Sequence, residues 1–169
     1  MKILFLDIDG VLNSQNWYKS EVYEEARSKF KKREPADGSE RTAFELHTCH
    51  IDPDALCLLK NCIRDLGLSL VLSSTWRTLP TALDALEQAG LSFIGMTPEM
   101  PEISSARGRE IQAWLDKNSI VGDFAILDDN DDLEDLRPHL IQTYFCTGFT
   151  AREARELRER FDGSIQSGA

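Results

Sequence analysis

The sequence contains no apolar run that approaches the roughly 18 residues needed for a membrane-spanning helix. Its opening residues, MKILFLDIDG, place acidic side chains where a secretory signal peptide needs a longer apolar stretch and a small-residue cleavage site. We therefore expect a cytoplasmic protein that does not associate with a membrane.

Cysteine is scarce as well, with four in 169 residues and no pair at CxxC spacing. A chain of this length can build a sufficient core without disulfides, so we expect reduced, mostly structural cysteines. A zinc site is the alternative, built from His47, His50, Cys57 and Cys62. The spacing of these residues fits no common zinc pattern, which favours the structural interpretation.

Basic residues are fewer than acidic ones: 19 Lys and Arg against 29 Asp and Glu give a net charge of −10. This excess opposes extended duplex binding, which needs several phosphate-neutralising bases on one surface. The short basic run KFKKR, residues 29–33, has acids around it and is more typical of a solvated helix face. Local binding of a single phosphate group remains compatible with this charge.

What the sequence does contain is an alternation of apolar strands with amphipathic helices. Asp52 followed by Pro53 predicts a helix start, and Gly67 predicts its end. This pattern predicts an α/β fold, a doubly wound, Rossmann-like and mainly parallel sheet with helices on both faces. The predicted strands are 3–6, 68–72, 124–127 and 140–145, and the other predicted helices are 81–89, 107–117 and one that a Thr150–Glu153 capping box opens.

The chain is expected to form one domain over residues 1–169. The polar stretch 14–50 has helical composition over about 21–33 and is broken by PADGS, so we predict a surface insertion that acts as a flap or small cap. Residues 163–169 are expected to form a flexible tail.

Reactive polar side chains follow three of the predicted strands. Asp7 and Asp9 follow the first strand, and two residues apart on an extended segment they point to one side. The other two strands end on Ser73 and Ser74, and on Asp128 and Asp129. Parallel strands bring their carboxyl ends to one edge, and a divalent cation such as Mg²⁺ would relieve the repulsion between the carboxylates. For the DDNDD run alone, helix capping by Asp131 and Asp132 is the competing interpretation.

In these residues the sequence resembles the haloacid dehalogenase (HAD) superfamily. DIDGVLN matches its first motif, LVLSS is similar to the second, an apolar strand that ends in Ser or Thr, and AILDD is similar to the acidic fourth motif. The basic third motif is best matched by Arg107 in RGREI, where Lys is common in the superfamily. STWR, RGREI and ILDD together also resemble a small subgroup of HAD domains associated with RNA-repair-type proteins.

The resemblance implies a phosphatase with Mg²⁺ as its cofactor. Asp7 would be the nucleophile that forms an aspartyl-phosphate, and Asp9 would protonate the leaving oxygen and later deprotonate water. Ser73 would bind a phosphoryl oxygen and Arg107 would balance the negative charge. The metal ligands would be Asp7, the Asp9 carbonyl, and Asp128 or Asp129. Arg109 and Arg77 remain rivals of Arg107, and the sequence does not decide which of Asp128 and Asp129 is the main ligand.

Substrate selection is expected from residues near the mouth of the site, where a small cap would leave room for larger molecules. The predicted substrate-binding residues are Asn13, Ser74, Trp76 and Arg77, and Trp17 and Tyr18 are further candidates for the mouth. Trp76 beside Arg77 suggests a stacked base and a bound phosphate, although an aromatic at this position more often packs in the core. We expect a small phosphorylated substrate or a nucleic-acid terminus.

A second class of function also uses clustered aspartates and Mg²⁺ on a doubly wound fold. Receiver-like regulatory modules accept a phosphoryl group without turning it over. Their acceptor Asp follows a later strand, so a DxDG motif on the first strand disfavours this alternative.

Overall fold

The computed structural model describes residues 1–31, 48, 50–102, 106–119 and 123–162. Its strands are β1 (Lys2–Leu6), β2 (Leu68–Leu72), β3 (Phe93–Met96), β4 (Phe124–Asp128) and β5 (Leu140–Gln142). They form one sheet in the order β3–β2–β1–β4–β5, and every neighbouring pair is parallel. This is the strand order of a doubly wound fold, so the predicted fold class is confirmed.

Helices cover both faces of the sheet. The helices of the described residues are α1 (Gln15–Tyr18) and α2 (Glu21–Lys31), which lie in the insertion, and α3 (Pro53–Leu66), α4 (Pro80–Gln88), α5 (Arg107–Asn118) and α6 (Ala151–Asp162), which pack on the sheet. Short 3-10 turns span Thr75–Thr78 and Glu134–His139. One core cluster joins the sheet to α3, α4 and α6, and a second joins it to α5 and the Glu134–His139 turn.

Side-chain alternation along β1 explains why there are two clusters. Leu4 and Leu6 point into the cluster with α3, α4 and α6, whereas Ile3 and Phe5 point into the cluster with α5. All four side chains are fully buried. A strand that is buried on both faces needs a continuous apolar run, which is what the sequence provides.

The predicted ends of α3 are confirmed. The Asp52 side chain accepts hydrogen bonds from the backbone N–H groups of Asp54 and Ala55, and Pro53 occupies the first turn. Gly67 ends the helix in the left-handed conformation, with φ of 65°. These caps fix where β2 begins.

Two predicted elements differ from the structure. The strand predicted over 140–145 ends at Gln142, because the chain then turns back and the N–H groups of Thr147 and Gly148 bond to the Tyr144 carbonyl. Asp131 and Asp132 do not cap the turn that follows them. That turn begins after Leu133 without a side-chain cap, and the Asp131 carboxylate instead pairs with Arg137 at 2.8 Å.

The predicted insertion 14–50 begins with α1 and α2, and its residues 32–47 and 49 lie outside the described residues, as does the predicted tail 163–169. Two of the four residues of the zinc alternative, Cys57 and Cys62, are free cysteines, and His47 is not among the described residues. Within the described ranges no helix has both the length and the apolar character needed to cross a bilayer.

Candidate active site

The carboxyl ends of the three central strands bring the predicted residues together. The Asp7 N–H donates to the Leu127 carbonyl at 3.0 Å, and the Ser73 N–H donates to the Leu6 carbonyl at 3.0 Å. These bonds extend the β1–β4 and β1–β2 ladders by one step. The first acid of DIDG therefore lies between Ser73, which follows β2, and Asp128, which ends β4.

Three carboxylates meet at this edge. One oxygen from each of Asp7, Asp128 and Asp129 can be chosen so that all three atoms lie within 4.8 Å of one another. Burial and the nearby charge of Asp7 raise the pKa of Asp128 from 3.8 to about 7, although Arg107 opposes the shift. Burial also raises the pKa values of Asp7 and Asp129. Three acids this close are unstable as three free carboxylates.

Arg107 at the start of α5 supplies a positive charge to this cluster. Its Nη1 lies 3.0 Å from Asp7 Oδ1 and 3.2 Å from Asp128 Oδ2, and it also donates to the Ser73 carbonyl oxygen. All of these contacts come from one nitrogen atom of the guanidinium. Gly108 permits this approach of α5, because a Cβ there would lie 2.7 Å from the Leu133 carbonyl oxygen.

The two rival arginines lie elsewhere. Arg109 pairs with Glu134 at 3.0 Å on the surface, with half of each side chain exposed. Arg77 is buried, pairs with Glu110 at 2.8 Å and donates from Nη1 to the carbonyls of Ser73 and Ser74. Of the three candidates, Arg107 is the one that contacts the acidic cluster. The guanidinium of Arg77 supports the backbone after β2, and its proposed contact with substrate stays a prediction.

The acidic cluster fits a hard divalent cation. Asp128 Oδ2 is buried and has no hydrogen-bond partner, because Arg107 Nη1 is close but lacks hydrogen-bond geometry. A buried carboxylate oxygen without a donor is costly unless a cation compensates it. Carboxylate oxygens are the ligands that Mg²⁺ and similar hard ions prefer. Among the residues that the structure describes, this is the one group of acids, histidines or cysteines with metal-binding spacing.

Asp9 differs from Asp7 in its surroundings. Its side chain is exposed, but both carboxylate oxygens accept hydrogen bonds: Oδ1 from Asn13 Nδ2 at 2.8 Å and Oδ2 from Trp76 Nε1 at 3.1 Å. The Asn13 amide is itself fixed, because its Oδ1 accepts from the Gly10 N–H at 2.9 Å. Asn13 and Trp76, which we predicted to bind substrate, thus orient the second aspartate of the motif.

That contact was missed by sequence reasoning, although Trp76 itself was singled out. Trp76 is 5% exposed and belongs to a core cluster, as the packing alternative predicts. Its indole N–H nevertheless reaches Asp9, which is 67 residues away in the chain. No local pattern indicates a contact between residues so far apart.

The two serines after β2 have different partners. Ser73 is fully buried, and its Oγ has no hydrogen-bond partner. Ser74 caps the Thr75–Thr78 turn by accepting from the Trp76 N–H, and its side chain also hydrogen-bonds to Asp7. Ser73 therefore keeps a donor that the protein itself does not use.

The other aromatic residues predicted near the mouth form a separate cluster. Tyr18 contacts Tyr23 and His50 edge-on, with ring centroids 5.1 and 5.5 Å apart, and Trp17 contacts Tyr23 at 5.9 Å. Trp17 and Tyr18 are half-buried. These rings pack on one another within the insertion, and their proposed role at the mouth stays a prediction.

Gly10 is required by the geometry of the acidic cluster. Its φ is 74°, and a Cβ there would overlap the Asp129 carboxylate. We predict that Gly10→Ala displaces Asp129 and weakens divalent-cation binding roughly 10- to 100-fold, as measured by titration calorimetry. Gly67→Ala is the matched control, since φ there is 65° but the added Cβ meets nothing within 4 Å. Both variants should lose about 1–2 kcal/mol of stability from the left-handed backbone. Equal cation affinity in the two variants would contradict the prediction.

The chain is similar to known proteins. A family model described as "HAD domain in Swiss Army Knife RNA repair proteins" matches residues 3–154. Among solved structures, the chain is similar to a haloacid dehalogenase-like hydrolase from Streptococcus pneumoniae, with a TM-score of 0.48 and 14% identity over 93% of this chain and 90% of that one. No protein with a curated description matches. Because the family model spans most of the chain, the protein belongs to the family of HAD domains of Swiss Army Knife RNA repair proteins, which supports a hydrolase activity in general.

Proposed function

We propose that this protein is a Mg²⁺-dependent phosphohydrolase that cleaves a phosphomonoester through an aspartyl-phosphate on Asp7. The observation that carries the proposal is the convergence of Asp7, Asp128 and Asp129 within 4.8 Å, with Arg107 bonded to Asp7. The three carboxylates would bind a divalent cation, and that cation together with Arg107 would bind the negative charge of a phosphorylated substrate. The family description names RNA repair, which favours a nucleotide or a nucleic-acid end as the substrate.

The proposed reaction has two steps, each assigned to residues at this edge. An Asp7 carboxylate oxygen attacks phosphorus, the ester O–P bond breaks, and the protonated Asp9 carboxyl gives its proton to the leaving oxygen. Asp9, now a carboxylate, then takes a proton from water. The water oxygen attacks phosphorus, the Asp7 O–P bond breaks, and inorganic phosphate leaves. The second step returns the proton that Asp9 lost and removes the phosphoryl group that Asp7 gained, so both residues are regenerated.

The surrounding groups would bind the phosphoryl oxygens. The Ser73 hydroxyl, which has no protein partner, would donate to one of them. Arg107 would lower the cost of negative charge on both Asp7 and the phosphoryl group. Mg²⁺ held by Asp7, Asp128 and Asp129 would supply electrostatic stabilisation of the phosphoryl oxygens. The Asp9 carbonyl is proposed as a further ligand on the basis of the family resemblance.

The receiver-like alternative is disfavoured by the order of the strands. Receiver domains have the flavodoxin-like order 2-1-3-4-5. Here the order is β3–β2–β1–β4–β5, with the candidate nucleophile after the central β1. Turnover is the property that separates the two functions.

The experiment that tests the proposal measures phosphate release from p-nitrophenyl phosphate with Mg²⁺ and with EDTA. We expect many phosphate ions per chain with Mg²⁺ and almost none with EDTA. An acid quench followed by hydroxylamine treatment should detect an acyl phosphate during turnover. Labelling of one equivalent per chain without turnover would instead support the receiver-like function, and neither labelling nor release would refute both.

The acidic cluster predicts a link between pH, Mg²⁺ and stability. The pKa of Asp128 is about 7 in the folded protein and 3.8 ordinarily, so the folded metal-free protein binds a proton that the unfolded chain releases. This contribution to stability is fully present below about pH 4 and is lost as the pH rises through about 7. Mg²⁺ requires the carboxylate form and should raise the urea midpoint more at about pH 8 than at about pH 5. Equal stabilisation at the two pH values would contradict a metal site at Asp128.

Trp76 provides a test of the role assigned to Asp9. Trp76→Phe keeps an aromatic ring in the core but removes the N–H that holds Asp9 Oδ2. We expect kcat/KM for an alkyl phosphate to fall about tenfold more than kcat/KM for p-nitrophenyl phosphate, whose leaving group needs little protonation. Trp114→Phe is the control, since Trp114 is 6% exposed and packs against Phe5 on the opposite face of the sheet. Equal losses for both substrates would indicate that Trp76 acts on packing alone.

A further inference from the structure

Two consecutive aromatic side chains are exposed beside the catalytic edge. Tyr144 is 60% exposed and Phe145 is 50% exposed. The other large apolar side chains that are exposed in the described part of the chain are aliphatic or methionine. Cys146 and Thr147, which follow the two aromatic residues, are exposed as well, and the residues that bound this exposed stretch, Thr143 and Gly148, are buried. We call the segment 143–148 the aromatic loop. Its backbone is anchored while its two rings face solvent.

The aromatic loop is bonded directly to the site. The Thr143 N–H donates to the Asp128 carbonyl at 3.0 Å, and the Thr143 hydroxyl donates to the Gly10 carbonyl at 2.8 Å. Further along, the Gln15 N–H donates to the Phe145 carbonyl at 2.9 Å. Because consecutive Cα atoms are about 3.8 Å apart, the first bond places the Tyr144 Cα within about 8 Å of the Asp128 carbonyl oxygen.

Arg152 links the aromatic loop to the acidic cluster by a second set of contacts. The Arg152 guanidinium carbon lies 4.9 Å from the centre of the Tyr144 ring, and Arg152 Nη2 donates to the Gln142 carbonyl at 2.8 Å. The Gln142 side chain in turn donates to the Asp129 carbonyl at 3.1 Å. Arg152 also pairs with Glu153 and remains 45% exposed. It therefore places a partly exposed guanidinium group over the Tyr144 ring.

We propose that the aromatic loop binds the nucleobase next to the scissile phosphate of a single-stranded nucleic-acid end, by stacking on Tyr144 and Phe145. This rests on the proposed phosphatase function and names its substrate class. Exposed aromatic rings with a neighbouring arginine stack on any base, so the site should tolerate different base sequences. The sequence predicted such a pair at Trp76 and Arg77, but both are buried. Tyr144 and Arg152 combine the same chemistry with exposure.

A partner protein is the other occupant that exposed aromatics suggest, and the size of the surface disfavours it. A stable protein interface needs about 800 Å² from each partner. A four-residue exposed stretch bounded by buried Thr143 and Gly148 supplies only part of that area, whereas a single base needs no more than a ring to stack on. The bonds from Thr143 to Asp128 and Gly10 also place this surface beside the acidic cluster rather than on a remote face.

The test measures binding separately from catalysis. In an Asp7→Asn background, fluorescence anisotropy gives the Kd of a labelled tetranucleotide that carries a terminal phosphate. We expect Tyr144→Ala with Phe145→Ala to weaken binding at least about fivefold, the lower end for the loss of one stacked base. Tyr144→Phe, which keeps the ring, should bind within about twofold of the parent. Ile94→Ala with Met96→Ala is the matched control, because these side chains are 53% and 45% exposed on the edge strand β3.

The outcomes distinguish this proposal from the proposed function. Unchanged tetranucleotide binding in the double alanine variant overturns the stacking site, whatever the catalytic result. An equal loss in the Ile94 and Met96 control also overturns it. With Asp7 restored, the ratio of kcat/KM for the tetranucleotide to that for glycerol phosphate should fall at least about fivefold in the double variant. If the parent protein releases no phosphate from any substrate, the phosphatase function fails even when binding behaves as expected.

Discussion

Asp7→Asn is expected to reduce phosphate release at least about a thousandfold, because the amide cannot replace the attacking carboxylate. The protein should still fold. Asn is nearly isosteric, and the substitution removes the repulsion between Asp7 and Asp128 while Arg107 keeps Asp128 as a partner. The measurement is phosphate release with Mg²⁺, together with a thermal melt and a hydroxylamine trap for the acyl phosphate.

The control for this variant is an exposed acid that lies outside the cluster. Asp135 is exposed in the Glu134–His139 turn, and Asp135→Asn changes the net charge by the same amount. We expect it to keep activity within about twofold, as is usual for surface substitutions away from a site. Turnover by Asp7→Asn close to that of the parent, with a native melt, would remove Asp7 as the nucleophile.

Substitution of Arg107 is expected to have the second large effect, on both stability and activity. Arg107→Met removes the partner of two buried acids, so we expect the metal-free protein to lose about 3–5 kcal/mol of stability. Mg²⁺ should restore part of that loss, because the cation and the guanidinium neutralise the same carboxylates. Activity should fall about 10²- to 10³-fold, as expected when one preorganised electrostatic contact is removed. Urea denaturation with and without Mg²⁺ and steady-state kinetics measure the two effects.

A second substitution addresses the departure from the lysine that is common in the superfamily. All contacts of Arg107 with the cluster and with the Ser73 carbonyl come from Nη1. One ammonium nitrogen could therefore replace them, and Arg107→Lys should retain activity within about tenfold. Arg109→Ala, which breaks only the exposed pair with Glu134, should have almost no effect. Loss of activity in Arg109→Ala but not in Arg107→Met would reverse the assignment.

Sequence patterns predicted the parts of the molecule that depend on neighbours in the chain. The Asp52 cap and the Gly67 stop gave the ends of α3, and apolar runs gave the strands whose ends carry Asp7 and Asp128. Parallel pairing then implied that these acids meet. Strand direction placed Asp7, Asp128 and Asp129 at one edge, and the pairing of β1 with β4 brings them within contact distance.

Local sequence patterns did not predict the contacts between side chains that are far apart in the chain. Trp76 reaches Asp9 across 67 residues, and the Arg77 side chain is buried in an ion pair with Glu110 on α5. The end of β5 was also misjudged, because TYF has strand composition. The chain turns back there through bonds to the Tyr144 carbonyl, and the Thr143 hydroxyl bonds to Gly10, a residue that no local pattern connects with it. Packing between elements, rather than propensity, decides such details.

Two guanidinium groups, those of Arg77 and Arg107, converge on the carbonyl oxygen of Ser73. Arg77 is in turn held by Glu110, one helical turn beyond Arg107 on α5. The loop after β2 and the first turn of α5 are thereby joined into a closed ring of polar contacts. An incoming anion thus meets a positive charge already fixed in position, and the entropy lost in immobilising that long side chain is incurred at folding rather than at each encounter with substrate.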